Sequence, residues 1–153
     1  SDNSIGLGAL STAAARYATG DLVGSSSETE AHQLVASTSS ASGYVITVQG
    51  ATLTSGGNSI TAVGGTNTAS SAGTAQFGLR MSASGGLGTV TAPYAASGFA
   101  YAANATTASQ VASASTGDSV ETTYSVRYLG NISPTTVQGS YSTNLVYVMT
   151  ANF

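Results

Sequence analysis

The sequence predicts an all-β protein, an antiparallel β-sandwich of Ig-like or jelly-roll type with roughly eight to ten strands. Three observations predict it. Side chains alternate between apolar and polar in stretches such as Tyr44-Val45-Ile46-Thr47-Val48 and Val120 to Leu129, and a strand places every second side chain on one face. Turn signals such as Ser55-Gly56-Gly57-Asn58 and Thr116-Gly117-Asp118 punctuate them. No stretch sustains a helical period. The chain has 153 residues, enough for one domain with a real core. The expected organisation is an N-terminal strand over residues 1–10 and a single sandwich over 11–153.

In chain order, Ile5, Leu7 and Ala9 alternate with Gly6 and Gly8. This predicts a short strand, and its glycines would let another backbone approach closely. Ala13 to Tyr17 predicts one helical turn capped by Ser11 or Thr12. Gln33–Thr38 and Tyr44–Gln49 follow as strands. Thr52–Thr54 and Ile60–Val63 flank the Ser55–Asn58 turn, and Thr66–Thr74 reads as a loop. Ala75–Ser82 is a strand with Phe77, Leu79 and Met81 on one face. Gly98–Ala103 holds Phe99 and Tyr101 two apart, and Gln110–Ala114 adds a short strand. Val120–Leu129 is long, with Val120, Thr122, Tyr124, Val126 and Tyr128 on one face and Glu121, Thr123, Ser125 and Arg127 on the other.

The last stretch, Tyr141 to Met149, is apolar on both faces towards its end: Leu145, Tyr147 and Met149 on one, Val146 and Val148 on the other. That pattern predicts a strand in the middle of the fold, with Val120–Leu129 along one edge. The other edge is where Ile5 and Leu7 of another copy are expected.

Composition excludes several chemistries. Charged residues are 6% of the chain, against about 25% in an average soluble domain. There is no lysine, and the cations are Arg16, Arg80 and Arg127. Nucleic acid is therefore not an expected partner, because phosphate recognition needs a basic footprint. Cysteine is absent, which removes disulfides, thiolate metal sites and cysteine catalysis. No run approaches the ~20 apolar residues of a membrane-spanning helix. The chain begins at Ser1, which fits a processed N-terminus. A surface so poor in charge puts little electrostatic repulsion between copies.

Candidate chemistry is sparse. The single histidine, His32, alternates with Glu28 and Glu30. On one strand face these three could hold a hard cation weakly, though a solvated loop edge is the expected reading. No Gly-x-Ser-x-Gly elbow, calcium loop or dinucleotide fingerprint occurs. The sequence therefore predicts no catalytic residue, no cofactor and no metal, and the protein is not expected to be an enzyme. Asn104-Ala105-Thr106 and Asn131-Ile132-Ser133 match the glycan-acceptor pattern. Tyr124, Tyr128, Tyr141 and Tyr147 sit on strand faces, and most of them are expected in the core or between the sheets. Tyr141, two residues after Gly139, could serve as a tyrosine corner.

The closing Gly139-Ser140-Tyr141, followed by Leu145, Tyr147 and Phe153, resembles the last strand of bacterial fibre subunits of the archaic chaperone–usher and spore-coat-U kind. With Ser42–Val48 and Gly73–Leu79, the chain also resembles secreted surface-filament sandwiches such as TasA, camelysin and archaeal bundling pili. The resemblance implies a sandwich that lacks one strand and receives it from the next subunit. Carried over, the donor residues are Ile5, Gly6, Leu7, Gly8 and Ala9. The protein would be an extracellular, cell-surface, pilus-like structural subunit whose partner is itself, with a host or cell-surface glycan or protein as a further partner. Head-to-tail donation does not close on itself and so makes a filament. The alternatives are a monomeric adhesin or glycan-binding module, and a virion or surface-layer structural protein.

Overall fold

The computed structural model describes residues 4–21 and 23–153. Residues 1–3 of the expected N-terminal strand, including Ser1, lie outside the described residues. The chain is all-β, and its two main sheets are antiparallel. Among the described residues there are twelve strands: β1 Arg16–Tyr17, β2 His32–Thr38, β3 Tyr44–Gln49, β4 Thr54–Ser55, β5 Asn58–Ser59, β6 Gly64–Thr68, β7 Gln76–Gly85, β8 Thr89–Val90, β9 Phe99–Tyr101, β10 Ser109–Ala114, β11 Asp118–Asn131 and β12 Val146–Ala151.

The first sheet runs β1-β11-β7-β9-β6, with β2 also paired to β11. The second runs β12-β3-β10-β8, and β4-β5 is a separate hairpin. β11 is the longest strand at 14 residues. One of its edges pairs with β7 from Thr122 to Asn131. The other is shared by β2 over its first half and β1 near its end.

The core lies between the sheets. From the first come Phe77, Leu79, Met81, Tyr124, Val126 and Tyr128; from the second come Tyr44, Ile46, Val48, Val111, Ala112 and Ala114. All are at most 3% exposed, as the period-two pattern requires of a strand with one buried face. Two buried tyrosines meet across the sandwich, Tyr44 Oη to Tyr124 Oη at 2.8 Å. The alternation in β11 holds from Thr122 onward. Val120 is 58% exposed because the β2–β11 register shifts between Asp118 and Thr122, and such a bulge turns side chains out of phase.

Four expectations need correction. The closing strand is not central. β12 starts at Val146, pairs only with β3 among the described residues, and forms an edge of the second sheet. Its neighbour is therefore Tyr44–Gln49, not Val120–Leu129. The alternation of Tyr147 with Val146 and Val148 reflects one face turned inward and one left open: Val146 and Val148 are 58% and 48% exposed. β11 instead faces β12 across the sandwich, through a Tyr128–Tyr147 hydroxyl contact.

The N-terminal strand reduces to one bridge, Gly6 with Thr19. The helical turn at Ala13–Tyr17 is replaced by bends leading into β1. Pairing of Tyr17 with Leu129 on one side and Ser25 on the other decides this, since one isolated turn carries a nucleation cost that it cannot recover. Finally, Ile60–Val63 is not a strand. Ile60 is fully buried, but the strands are the β4–β5 hairpin before it and β6 after it, which runs into the first residues of the expected Thr66–Thr74 loop.

Leu79 is fully buried at the centre of the core. Leu79→Ala is expected to lower the unfolding free energy by roughly 2–5 kcal/mol, measured by urea titration.

Candidate functional site

Where the edges β2 and β12 approach, the sandwich does not close. A cleft of about 1100 Å³ opens there. Two continuous stretches, 4–10 and 136–145, wall it, and its floor is Ala18, His32, Leu53, Phe77, Tyr128, Ile132 and Tyr147. The volume is at the upper end of the ~300–1,000 Å³ of small-ligand clefts, although the N-terminal segment already lies against it.

Three polar groups converge on the floor. His32 Nε2 lies 2.9 Å from Tyr128 Oη, and Tyr128 Oη lies 2.5 Å from Tyr147 Oη. The His32 ring centroid is 5.7 Å from those of both tyrosines. Strand geometry places them: β2 and β11 pair in register at His32–Val126, and the inward face of β12 brings Tyr147 from the opposite sheet. The cluster therefore ties both sheets together at the open side.

Burial raises the Tyr128 hydroxyl well above its ordinary value, and the bond from Tyr147 opposes this in part. Burial likewise raises Tyr147, with Tyr128 adding to the effect. Both stay protonated, so neither is a base near neutral pH. Burial holds the His32 imidazole below its ordinary 6.5, while the Gln33 main chain and Glu30 act in the other direction. A neutral imidazole lets the hydrogen-bond chain run either way. A protonated one donates from Nε2, so Tyr128 must donate to Tyr147, whose own hydrogen must then find an acceptor in the cleft.

The N-terminal segment is held by main-chain bonds, an arginine and apolar packing. Gly6 N–H donates to Asp21 O at 2.9 Å, and Thr19 N–H donates to Gly6 O at 3.1 Å. Arg16 braces the turn that follows, with Nε donating to Leu7 O at 3.2 Å and Nη2 to Val23 O at 2.9 Å. Leu7 sits over the backbone of β11. A Cβ on Gly130 would lie 2.6 Å from Leu7 Cδ1, so a larger residue there would push the Leu7 side chain aside. Ile5, Leu7 and Leu10 pack against the core.

Of the residues predicted at a subunit interface, Ile5, Gly6, Leu7, Gly8 and Ala9 all line the cleft. The other predicted groupings separate. Glu28 lies ahead of β2 and accepts a hydrogen bond from Arg80 Nε, with Arg127 Nε 3.6 Å away. It is thus drawn to the outer face of the first sheet, where Arg80 also lies 6.0 Å from the Phe99 ring centroid. Glu28, Glu30 and His32 therefore form no cation site, and among the described residues no group of three potential ligands does so. Tyr141 donates to Val137 O at 2.8 Å, the upstream main-chain bond expected of a tyrosine corner. The Arg16 brace was not foreseen, because it depends on two loops meeting. The same holds for the His32–Tyr128–Tyr147 cluster, although the sole histidine beside an inward-facing tyrosine strand was its one available signal.

No protein-family model, characterised protein or solved structure matches this chain.

The buried imidazole sets a pH dependence. Its folded-state value is lowered, so the unfolded chain takes up the proton first as pH falls. The stabilisation from neutral His32 is complete above the ordinary value and is lost as pH falls through the lower folded one. Urea titrations between about pH 7 and 5 should show stability decreasing with acidification. His32→Gln should flatten that slope.

Proposed function

We propose that this chain is a structural, non-enzymatic subunit of an extracellular, pilus-like filament. In this reading the segment Ile5–Ala9 leaves its own cleft and completes the sandwich of the next copy. The observation that carries the reading is the open side of the fold. The free edge of β12, Val146–Ala151, has no charge and no proline, the devices with which edge strands usually avoid pairing. It borders a cleft with apolar seats. A strand added there would gain main-chain hydrogen bonds and place alternate side chains inward.

Exchange returns the burial that the segment gives up and adds a ladder. Leaving its own chain costs the segment, among other contacts, the Gly6 bridge, the Arg16 bond to Leu7 O and the packing of Ile5, Leu7 and Leu10 against the core. In a neighbour, Ile5 and Leu7 can bury again, at roughly 1.5–3 kcal/mol each, and a ladder along β12 is added. The repetition is head to tail and open-ended. The low charge of the surface, 6% of residues, limits repulsion between packed copies.

The pairings of β2 with β11, β3 with β10 and β6 with β9 are nested, as in a ribbon folded back on itself. Nesting favours the jelly-roll form over the Ig-like one.

One observation favours a second reading. Two tyrosine hydroxyls and an imidazole converge on the cleft floor, which suits a monomeric surface module that binds a glycan or a protein side chain.

Negative-stain microscopy separates the two. Concentrated full-length chain is expected to form filaments, whereas a chain lacking residues 1–10 is expected to remain monomeric and folded. Addition of a peptide of residues 1–10 should cap the truncated monomers and raise their melting temperature. Full-length chain that stays monomeric, with segment 4–10 in its own cleft, would reject the filament reading. Saturable glycan binding by that monomer would then support the second.

A further inference from the structure

The chain carries two Asn-x-Ser/Thr triplets, and the fold treats them differently. Asn104, Ala105 and Thr106 are exposed, in the loop between β9 and β10. Asn104 Oδ1 accepts three hydrogen bonds, from Thr106 N–H at 2.9 Å, Thr106 Oγ1–H at 3.0 Å and Thr107 N–H at 2.9 Å. The loop is also pinned to the end of β3. Gly50 N–H donates to Asn104 O at 3.2 Å, and Gln49 Nε2 donates to Ala105 O at 3.0 Å. The side-chain amide is thus held in a fixed orientation by its oxygen, on an exposed residue.

Asn131 is the opposite case. It is 1% exposed, and its Nδ2 donates to Gln76 Oε1 at 2.8 Å and to Ser70 Oγ at 3.2 Å. The hydroxyl of its triplet, Ser133 Oγ, is engaged by Thr135 and Thr136.

We infer that Asn104 is an N-glycan acceptor in the folded chain and that Asn131 is not. The chemistry needs a co-reactant, a polyprenyl-diphosphate-linked oligosaccharide, and a transferase. Asn104 Nδ2 attacks the anomeric carbon of the sugar. The bond from that carbon to the diphosphate oxygen breaks, and the diphosphate leaves with the electron pair. The amide proton passes to a base of the transferase. Three donors on Oδ1 draw electron density from the amide and make that proton easier to lose. The Thr106 hydroxyl is the one donor of the three that a substitution can remove while the main-chain turn remains. The outcome does not depend on whether the chain polymerises.

The test incubates folded full-length chain with a lipid-linked oligosaccharide and a transferase that accepts Asn-x-Ser/Thr without further sequence demands. Sites are then mapped by mass spectrometry. One glycan is expected, on Asn104, with occupancy at Asn131 at least about tenfold lower, because its exposure must first break buried hydrogen bonds. Thr106→Ser should keep the modification and Thr106→Val should lose it, with both variants melting as the parent does. Equal or greater occupancy at Asn131, no modification of Asn104, or full modification of Thr106→Val would overturn the inference.

Discussion

Everything in this fold hangs on β11. From Thr122 onward this 14-residue strand is flanked on both edges, by β7 on one side and by β2 and β1 in succession on the other. Its inward side chains Thr122, Tyr124, Val126 and Tyr128 supply the middle of the core. A strand paired on both edges has no main-chain group left to satisfy along them. The polarity problem of the fold is thereby moved outward, to β12 and to the N-terminal segment. Tyr128 makes the link explicit, since its hydroxyl is the point where the central strand touches both His32 and the edge tyrosine, Tyr147.

How much was legible followed from how local the signal is. The alternation of Tyr44, Ile46 and Val48, of Phe77, Leu79 and Met81, and of Thr122 to Tyr128 identified the inward faces, because burial of one strand face is a local rule. Neighbours across a sheet are not local. The closing stretch reads as a doubly covered strand, yet Val146 and Val148 lie on an open face. An apolar pattern reports what a side chain tolerates, not whether a second layer covers it. The same limit applies to Arg16. Its two main-chain acceptors, on Leu7 and Val23, meet only once both loops are folded. The cleft residues Ile5 to Ala9 stand out as a group in the sequence, whereas the wall opposite them, 136–145, takes in the first half of the closing stretch, whose pattern predicts a strand in the middle of the fold.

The open side and the low charge belong to one physical argument. An uncharged edge beside an apolar cleft is a hazard for a protein that must stay monomeric. For a subunit that meets copies of itself it is the contact. Segment 4–10 is held by the Gly6 bridge, by Arg16 at Leu7 O and by the packing of Ile5, Leu7 and Leu10 against the core. The polar cluster on the cleft floor ties the two sheets together, and its imidazole, His32, makes that contact sensitive to acid.

The most direct measurement is amide hydrogen exchange along Val146–Ala151 in dilute monomer and in concentrated, assembled chain. β3 can satisfy only one edge of β12. The account therefore predicts that alternate amides of β12 exchange freely in the monomer and become protected on assembly, together with those of Ile5–Ala9. An unchanged exchange pattern across β12 in assembled material would contradict it.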